Sequence, residues 1–265
     1  MVTPGGGGHP PDMIKLVLMS SGRLGVRLKK KRGLAGAGRP GPDAIHYGNG
    51  ADEMIEQQIE ARGIHDPHIL AALRAVPRDL FVPETSRSIA WSDRAMPIGE
   101  GQTISQPYIV ALMTSLLNPR PGDRILEVGT GSGYQAAVLA SMGTQVDTIE
   151  IIPSLAREAA DRLALLGYSN VTVHVGDGCD GLPGKDAYDA IIVTCAASSI
   201  PMRLAESLVE GGRLVIPLGH SLSHQNLTVA TRGADGLMNL ENITGVVFVP
   251  MTGPRGIMST VEAAA

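Results

Sequence analysis

The sequence predicts an α/β fold built on a doubly wound sheet, with a helical segment before the sheet and a β-containing extension after it. Residues 124–128 form a short apolar run of strand type, and residues 134–142 have the composition of a helix. The glycines between these two runs complete a strand, a tight turn and a helix, which together begin a βαβ unit. Strand-type runs at 145–150, 171–175 and 190–193 continue the pattern.

The remaining elements flank this central sheet. Apolar residues at helical spacing predict a helical preface over 51–62 and 67–76, which Pro77 ends. A further helix is expected at 106–117. Beyond the fourth strand, the sequence predicts a helix at 201–208, a strand at 213–217, and an antiparallel pair formed by 227–231 and 245–249.

The glycine turn after the first strand indicates a nucleotide-type cofactor. Gly129, Gly131 and Gly133 let the backbone turn tightly and approach a ligand without a Cβ in the way. A dinucleotide fingerprint places its third glycine three positions after the second, where this chain has Tyr134, so the spacing argues against NAD. Glu150 ends the next strand about twenty residues past the glycines, where an acid can bind ribose hydroxyls.

The next two strands also end in polar or small residues. Asp177 follows the strand at 171–175, and residues 194–197 (Thr-Cys-Ala-Ala) follow the strand at 190–193. Ligands of open α/β sheets bind at the carboxyl ends of the strands. Asp177 is therefore placed to bind an adenine amino group, and an aspartate that caps a helix or a turn is the alternative interpretation.

Several segments together resemble the protein-L-isoaspartate (D-aspartate) O-methyltransferases. They are residues 57–66 (Gln-Gln-Ile-Glu-Ala-Arg-Gly-Ile-His-Asp), 76–83 (Val-Pro-Arg-Asp-Leu-Phe-Val-Pro), 101–107 (Gly-Gln-Thr-Ile-Ser-Gln-Pro), 127–134, 176–178, 211–219 and 247–251. The resemblance covers most of the chain after residue 53. Its most specific feature is the segment 101–107 followed at this distance by the glycine motif. Cys195 departs from the family pattern, which usually has alanine there.

This resemblance implies a Rossmann-like methyltransferase sheet and S-adenosyl-L-methionine as the cofactor. The implied reaction transfers a methyl group to the free carboxylate of L-isoaspartyl and D-aspartyl residues in damaged proteins and peptides, which initiates their repair. Ser105 is the implied catalytic residue. The residues expected to bind the cofactor are Thr103, Ile104, Ser105, Glu127, Gly129, Gly131, Glu150, Asp177, Gly178 and Thr252.

The implied chemistry needs no general base. A carboxylate with a pKa near 4 is already ionised at neutral pH, so the protein has only to align its oxygen with the electrophilic methyl group. Ser105 would orient the carboxylate by donating a hydrogen bond to one oxygen. The alternative is that Ser105 caps the helix predicted at 106–117, and the two roles are compatible.

Composition and charge divide the chain into two parts. Residues 1–50 hold twelve of the 33 glycines and eight Lys or Arg against two Asp, a net charge of +6, so we expect a disordered basic extension. The remaining residues then carry −10 and form one methyltransferase domain, 51–265. A start codon assigned too far upstream is the other interpretation of this segment, and contact of the basic run with nucleic acid or an anionic surface is a weaker alternative.

Other features restrict the location and the partners. Two cysteines in 265 residues form no disulfide framework, and no run approaches the ~20 apolar residues of a membrane helix, so a cytoplasmic location is expected. His220 and His224 lie in an apparent loop without a nearby acid or cysteine cluster, so no metal site is expected. Partners should be isoaspartyl-containing proteins and peptides, without specific nucleic acid or membrane.

Two other functions stay open from the sequence. One is a methyltransferase acting on RNA, DNA or a small molecule, although residues 194–197 lack the Asn/Asp-Pro-Pro-aromatic sequence that favours amino-base methylation. The other is a protein that binds the cofactor or damaged proteins without turnover. Formation of a methyl ester that releases methanol on hydrolysis distinguishes the repair enzyme from both.

Overall fold

The structure, a computed structural model, describes residues 50–184, 187–219 and 224–253. The predicted basic extension therefore lies outside the described residues, apart from Gly50. The helices are α1 (Gly50–Met54), α2 (Pro67–Ala75), α3 (Pro107–Leu117), α4 (Tyr134–Ser141), α5 (Pro153–Leu165) and α6 (Met202–Glu206). The strands are β1 (Met96–Gly99), β2 (Gln102–Ile104), β3 (Arg124–Val128), β4 (Gln145–Glu150), β5 (Val171–Val175), β6 (Tyr188–Val193), β7 (Leu208–Leu218), β8 (Gln225–Arg232) and β9 (Met238–Val246).

A seven-stranded mixed sheet organises the described chain, in the spatial order β5-β4-β3-β6-β7-β8-β9. The first five strands of that order are parallel, and β8 and β9 complete the sheet as an antiparallel pair. The chain runs outward from β3 through β4 to β5 and then returns to place β6 on the other side of β3. This reversal makes the carboxyl ends of β3 and β6 a topological switch point, where open α/β sheets bind ligands.

Both faces of the sheet are covered, as a doubly wound fold requires. On one face, Met113 and Leu117 of α3 and Leu139 of α4 pack in one cluster with Ile125 and Ile192. On the other face, a second cluster joins apolar strand residues to Leu204 of α6. The strands at the centre are therefore buried on both sides, which explains their continuous apolar runs.

The helical preface before the sheet is confirmed, with local irregularity. The segment predicted at 51–62 begins as α1, passes through a π-helical turn at Ile55–Ile59, and finishes as a 3₁₀ turn at Glu60–Arg62. Gly63 adopts a φ of +90° and ends it. The preface packs against Tyr134 and Val138 of α4, so it lies beside the glycine turn.

The strand predictions at 124–128, 145–150 and 171–175 match β3, β4 and β5, and the prediction at 190–193 matches most of β6. The boundaries after β6 were wrong. The helix predicted at 201–208 ends at Glu206, and β7 starts at Leu208 instead of residue 213. The register of β6 against β7 shifts between Tyr188 and Ala190, so β7 accommodates extra residues that include Gly211 and Gly212.

The second member of the late antiparallel pair was also placed wrongly. Its partner, β8, turns tightly after Arg232, so β9 begins at Met238 and ends at Val246 rather than spanning 245–249. Most residues of β9 are exposed because it is an edge strand, and polar residues or a glycine separate its apolar residues, so it lacks a continuous apolar run. The apolar residue Phe248 lies beyond it, where the Gln225 amide binds both its N–H (2.7 Å) and its carbonyl (3.0 Å).

A two-stranded hairpin, β1 and β2, lies within the segment that precedes α3 and was not predicted as strands. Glu100 and Gly101 form its tip with φ values of +51° and +70°. Ser154, at the start of α5, donates a hydrogen bond to the Glu100 carboxylate at 2.8 Å. The hairpin therefore crosses from the preface side of the sheet to the end of β4.

We expect Asp66→Ala to destabilise the protein without affecting the sheet end. Asp66 caps α2 by accepting a hydrogen bond from the backbone N–H of His68 at 2.8 Å, with Pro67 at the first helical position. Loss of such a cap costs about 1 kcal/mol, or a fall in melting temperature of about 2–4 °C for a domain of this size. Calorimetry checks this.

The matched control is Asp52→Ala, which removes an exposed ion pair with Arg74. Exposed pairs contribute roughly 0–1 kcal/mol, so its effect should be the smaller. Equal melting temperatures for Asp66→Ala and the unmodified protein would contradict the capping role.

Candidate active site

Three cavities meet at the carboxyl ends of β3, β4 and β6. The largest, of about 660 Å³, is an outer groove lined by residues that include Ser105, Gln106, Ile109, Gln225 and the segment 245–249. Two narrower cavities form an inner cleft, with one half along the glycine turn and the other along the ends of β4 and β5. Thr103 and Thr194 line all three cavities, so they mark the junction.

The glycine turn is shaped by close contact with the end of β6. Gly129 has a φ of +96°, and a Cβ there would lie 2.4 Å from the Thr194 hydroxyl oxygen. That hydroxyl lies 2.6 Å from the Gly129 carbonyl oxygen, to which it donates. Glycine is therefore required at 129 for both its backbone conformation and its contact distance.

Glu150 connects the glycine turn to the end of β4. One carboxylate oxygen accepts the Gly131 N–H at 2.9 Å, and the other accepts the Ile152 N–H at 3.0 Å. Each oxygen retains acceptor capacity after one such bond. Glu150 lines the strand half of the inner cleft, at the end of β4 where the sequence predicted it.

Glu127 is a fully buried acid on the glycine half of the inner cleft. One of its oxygens accepts a hydrogen bond from Thr148 at 2.5 Å, and Thr148 is also bonded to Thr130 at 2.7 Å. The other oxygen has no hydrogen-bond partner among the described residues. Burial raises the pKa of Glu127 to about 8; the Thr148 hydrogen bond opposes this rise and the Glu150 charge adds to it.

Ser105 lies where the outer groove and the glycine half of the cleft adjoin. The adjacent residues Thr103 and Ile104 also line the cleft. Gln106 occupies the N-cap position of α3, and no side chain forms a capping hydrogen bond with the N-terminus of this helix. The alternative interpretation of Ser105 as a helix cap is therefore wrong, and its hydroxyl is not committed to the N-terminus of α3.

Asp177 caps the 3₁₀ turn at Gly178–Asp180, so the alternative interpretation of this residue as a capping aspartate is confirmed. One carboxylate oxygen accepts the Cys179 N–H at 3.0 Å, while the other is buried without a hydrogen-bond partner among the described residues. Asp177 stands beside the inner cleft, and its neighbour Gly178 lines the strand half together with Thr252. A Cβ at Gly178 would lie 2.2 Å from Val128, so only glycine fits there.

The structure thus brings the predicted site residues to one sheet edge, but sequence reasoning missed several of the lining residues. Thr194 was noted only as part of a strand end, although it lies at the junction. Gln225, Phe248 and Met251 also line the cavities. Thr194 follows a strand, Phe248 and Met251 lie in a segment of family resemblance, and Gln225 had no signal in the sequence. No group of three or more His, Cys, Asp or Glu in the described ranges could hold a metal ion, and His220 lies outside them.

The fold and the site define the class. A doubly wound sheet, a Gly-x-Gly-x-Gly turn at its switch point and an acid at the end of the next strand are features of an α/β methyltransferase. The family model described as protein-L-isoaspartate (D-aspartate) O-methyltransferase matches residues 49–256. The chain belongs to this family, and it is an S-adenosylmethionine-dependent methyltransferase.

Relatives at high identity support this assignment. Protein-L-isoaspartate O-methyltransferase 2 of Shewanella sediminis is 48% identical over 217 residues, which are 82% of this chain and 88% of that protein. The protein-L-isoaspartate O-methyltransferase of Methanoculleus marisnigri is 48% identical over 205 residues, which are 77% of this chain and 92% of that protein.

Two solved structures extend the likeness to the fold. A protein-L-isoaspartate O-methyltransferase matches with a TM-score of 0.69 at 27% identity. The match covers 77% of this chain and 66% of that protein. A Plasmodium falciparum protein assigned to the same activity, in complex with S-adenosyl-L-homocysteine, matches with a TM-score of 0.67 at 25% identity. The match covers 76% of this chain and 98% of that protein. Within the described residues of this chain, no helix is long and apolar enough to cross a membrane.

We expect Gly129→Ala to abolish binding of S-adenosyl-L-homocysteine, measured by isothermal titration calorimetry. The new methyl group would displace the Thr194 hydroxyl and disturb the turn that lines both halves of the cleft. Gly167→Ala is the matched control, because Gly167 also has a positive φ (+83°) but no heavy atom within 4 Å of its added Cβ. Tight binding by Gly129→Ala, or equal loss in both variants, would contradict this account.

The buried acid predicts a pH dependence of stability. The folded pKa of Glu127, about 8, exceeds its ordinary value of 4.5, so the stabilisation that its protonated form provides is complete below about pH 4.5 and is lost as the pH rises through 8. Relative to Glu127→Gln, the free energy of unfolding without cofactor should fall by roughly 2–4 kcal/mol between pH 5 and pH 9. The free energies of unfolding are measured by denaturant titration. If those of the unmodified protein and Glu127→Gln changed equally with pH across this range, the raised pKa of Glu127 would be refuted.

Proposed function

We propose that Ser105 and the residues around the inner cleft carry out the reaction of this family in the following way. The chain transfers a methyl group from S-adenosylmethionine to the free carboxylate of L-isoaspartyl and D-aspartyl residues in damaged proteins and peptides, which initiates their repair. The observation that carries the proposed site is the junction at Thr103, Ser105 and Thr194, where the inner cleft opens into the outer groove.

The hydrogen-bonding groups along the inner cleft support its assignment to the cofactor. Gly129 and Gly131 leave backbone exposed on the glycine half, and Glu150 offers acceptors at the strand half. The unpartnered oxygen of Glu127 is an acceptor suited to the ammonium group of the methionine moiety, and that of Asp177 is suited to an amino group of adenine. When bound, S-adenosylmethionine supplies an electrophilic methyl group on its sulfonium. Thr252 and Gly178 would close the adenosine end.

The protein's own residues then have to orient the substrate carboxylate. An isoaspartyl carboxylate is ionised at neutral pH, so no side chain needs to remove a proton. Ser105 donates one hydrogen bond to the carboxylate and leaves the other oxygen free to attack the methyl carbon. Alignment of this kind lowers a barrier by up to roughly 7–11 kcal/mol, which is enough for catalysis without a general base.

The outer groove suits a peptide with varied neighbouring residues. Its described lining includes no Asp, Glu, Lys or Arg, so it offers no charge that would select among flanking side chains. Damaged proteins and peptides that contain isoaspartate are therefore the proposed partners, without specific nucleic acid or membrane. We place the enzyme in the cytoplasm, in keeping with its two cysteines, Cys179 and Cys195, which form no disulfide bond.

The test of the reaction is transfer of labelled methyl groups to two short peptides that differ only in isoaspartate or aspartate at one position. Base-labile label that releases methanol should form on the isoaspartyl peptide alone. Equal labelling of both peptides, or label on RNA and on neither peptide, would overturn the proposal. Cofactor binding with no label on any of these acceptors would indicate a protein without turnover.

We expect Ser105→Ala to lower kcat while leaving the dissociation constant of S-adenosyl-L-homocysteine nearly unchanged. The serine hydroxyl acts on the substrate carboxylate, and loss of one orienting hydrogen bond should reduce kcat by about 10- to 100-fold. Ser88→Ala, at an exposed position between the preface and β1, is the control. An equal loss of cofactor binding in Ser105→Ala would instead place Ser105 among the cofactor ligands.

A further inference from the structure

Arg78 lies in the segment 76–83, which contributed to the family resemblance but which the proposed reaction does not use. Its side chain is fully buried, an uncommon position for a residue that is always charged. No carboxylate in the described part of the chain forms an ion pair with it. A buried cation without such a partner is costly, so its remaining contacts should explain why it is there.

Two of the guanidinium nitrogens bind backbone carbonyls from different segments. Nε donates to the Ala90 carbonyl at 2.8 Å, and Nη2 donates to the Ser105 carbonyl at 2.7 Å. Ala90 lies in the segment that connects the preface to β1, whereas Ser105 is the proposed catalytic serine. The planar fork of the guanidinium thus joins this connecting segment to the residue on which substrate orientation depends.

A third contact joins Arg78 to the glycine turn. Its guanidinium carbon lies 4.8 Å from the centroid of the Tyr134 ring, and Tyr134 is the first residue of α4, directly after Gly133. Tyr134 is also buried and lines the glycine half of the inner cleft. Burial lowers the pKa of Arg78, while Tyr134 and Asp93 oppose this change. The cation therefore stays in place through contacts on both sides of the cleft.

We propose that Arg78 is a positioning residue for methyl transfer, which fixes the Ser105 backbone against the segment that connects the preface to β1 and against the glycine turn. The inference rests on the proposed role of Ser105. Because a hydrogen bond from a cation polarises the peptide group that accepts it, Arg78 also strengthens the N–H of the Ser105–Gln106 peptide as a donor beside the outer groove. Gln106 lines that groove.

A purely structural role makes a different prediction. If Arg78 only supported the preface, its loss would lower stability throughout the chain, and any cation at this position would restore the enzyme. Positioning requires the fork itself, because a lysine ammonium is a point charge that cannot reproduce the planar geometry of Nε and Nη2. Arg78→Lys is therefore the informative variant, and Arg78→Met removes both charge and fork.

The experiment compares three full-length variants by amide hydrogen exchange, calorimetry and kinetics. Arg232→Lys is the matched control, because the Arg232 guanidinium also donates to two backbone carbonyls, those of Glu206 and Leu208, at a distance from the cleft. In Arg78→Lys, exchange should accelerate across residues 102–106 with no change in β3 or β4. The value of kcat should fall about 100-fold, as expected for a misplaced catalytic group, while affinity for S-adenosyl-L-homocysteine is retained.

Each outcome decides the proposal. Unchanged exchange across 102–106 in Arg78→Lys would overturn it, and so would recovery of the unmodified kcat by lysine after its loss in Arg78→Met. If Arg78→Met fails to fold, Arg78→Lys alone distinguishes positioning from structural support. If the unmodified protein methylates no isoaspartyl peptide, the proposed function fails, while the exchange data still decide whether Arg78 fixes the Ser105 segment.

Discussion

The contact between the Thr194 hydroxyl and the Gly129 carbonyl is the constraint on which the site depends. It joins the ends of β6 and β3, the two strands at the switch point of the sheet. Because no side chain fits at 129, the turn exposes its backbone to the inner cleft and presents Gly131 to Glu150. The hairpin and the preface then close over this turn. The proposed cofactor cleft and the proposed substrate groove therefore meet at one junction.

Several polar groups around this junction are buried at a cost to stability. Glu127 retains an unpartnered oxygen in a fully buried position, and Arg78 keeps its charge without an ion pair among the described residues. Native proteins seldom leave such groups unsatisfied without a functional reason. Their common location beside the cleft indicates that the fold gives up some stability for a site whose donors and acceptors are oriented before ligands arrive.

Local patterns in the sequence were enough for the central fold. The strands at 124–128, 145–150 and 171–175 follow from short strand-type segments, and the glycine turn follows from spacing alone. The edge strand β9 was missed because it has no continuous apolar run and its position depends on where β8 turns. The roles of Thr194 and Arg78 could not be predicted for another reason, since their contacts join residues 65 and 27 positions apart in the chain. Such contacts leave no periodic signal.

The most direct test of the site is a crystal structure of the protein with S-adenosyl-L-homocysteine and an isoaspartyl peptide. We expect the cofactor product along Gly129, Glu150 and Gly178, with the peptide in the outer groove. The isoaspartyl carboxylate should accept a hydrogen bond from Ser105, with its other oxygen directed toward the cofactor sulfur. A carboxylate bound away from Ser105, or a cofactor product outside the inner cleft, would contradict the proposed mechanism.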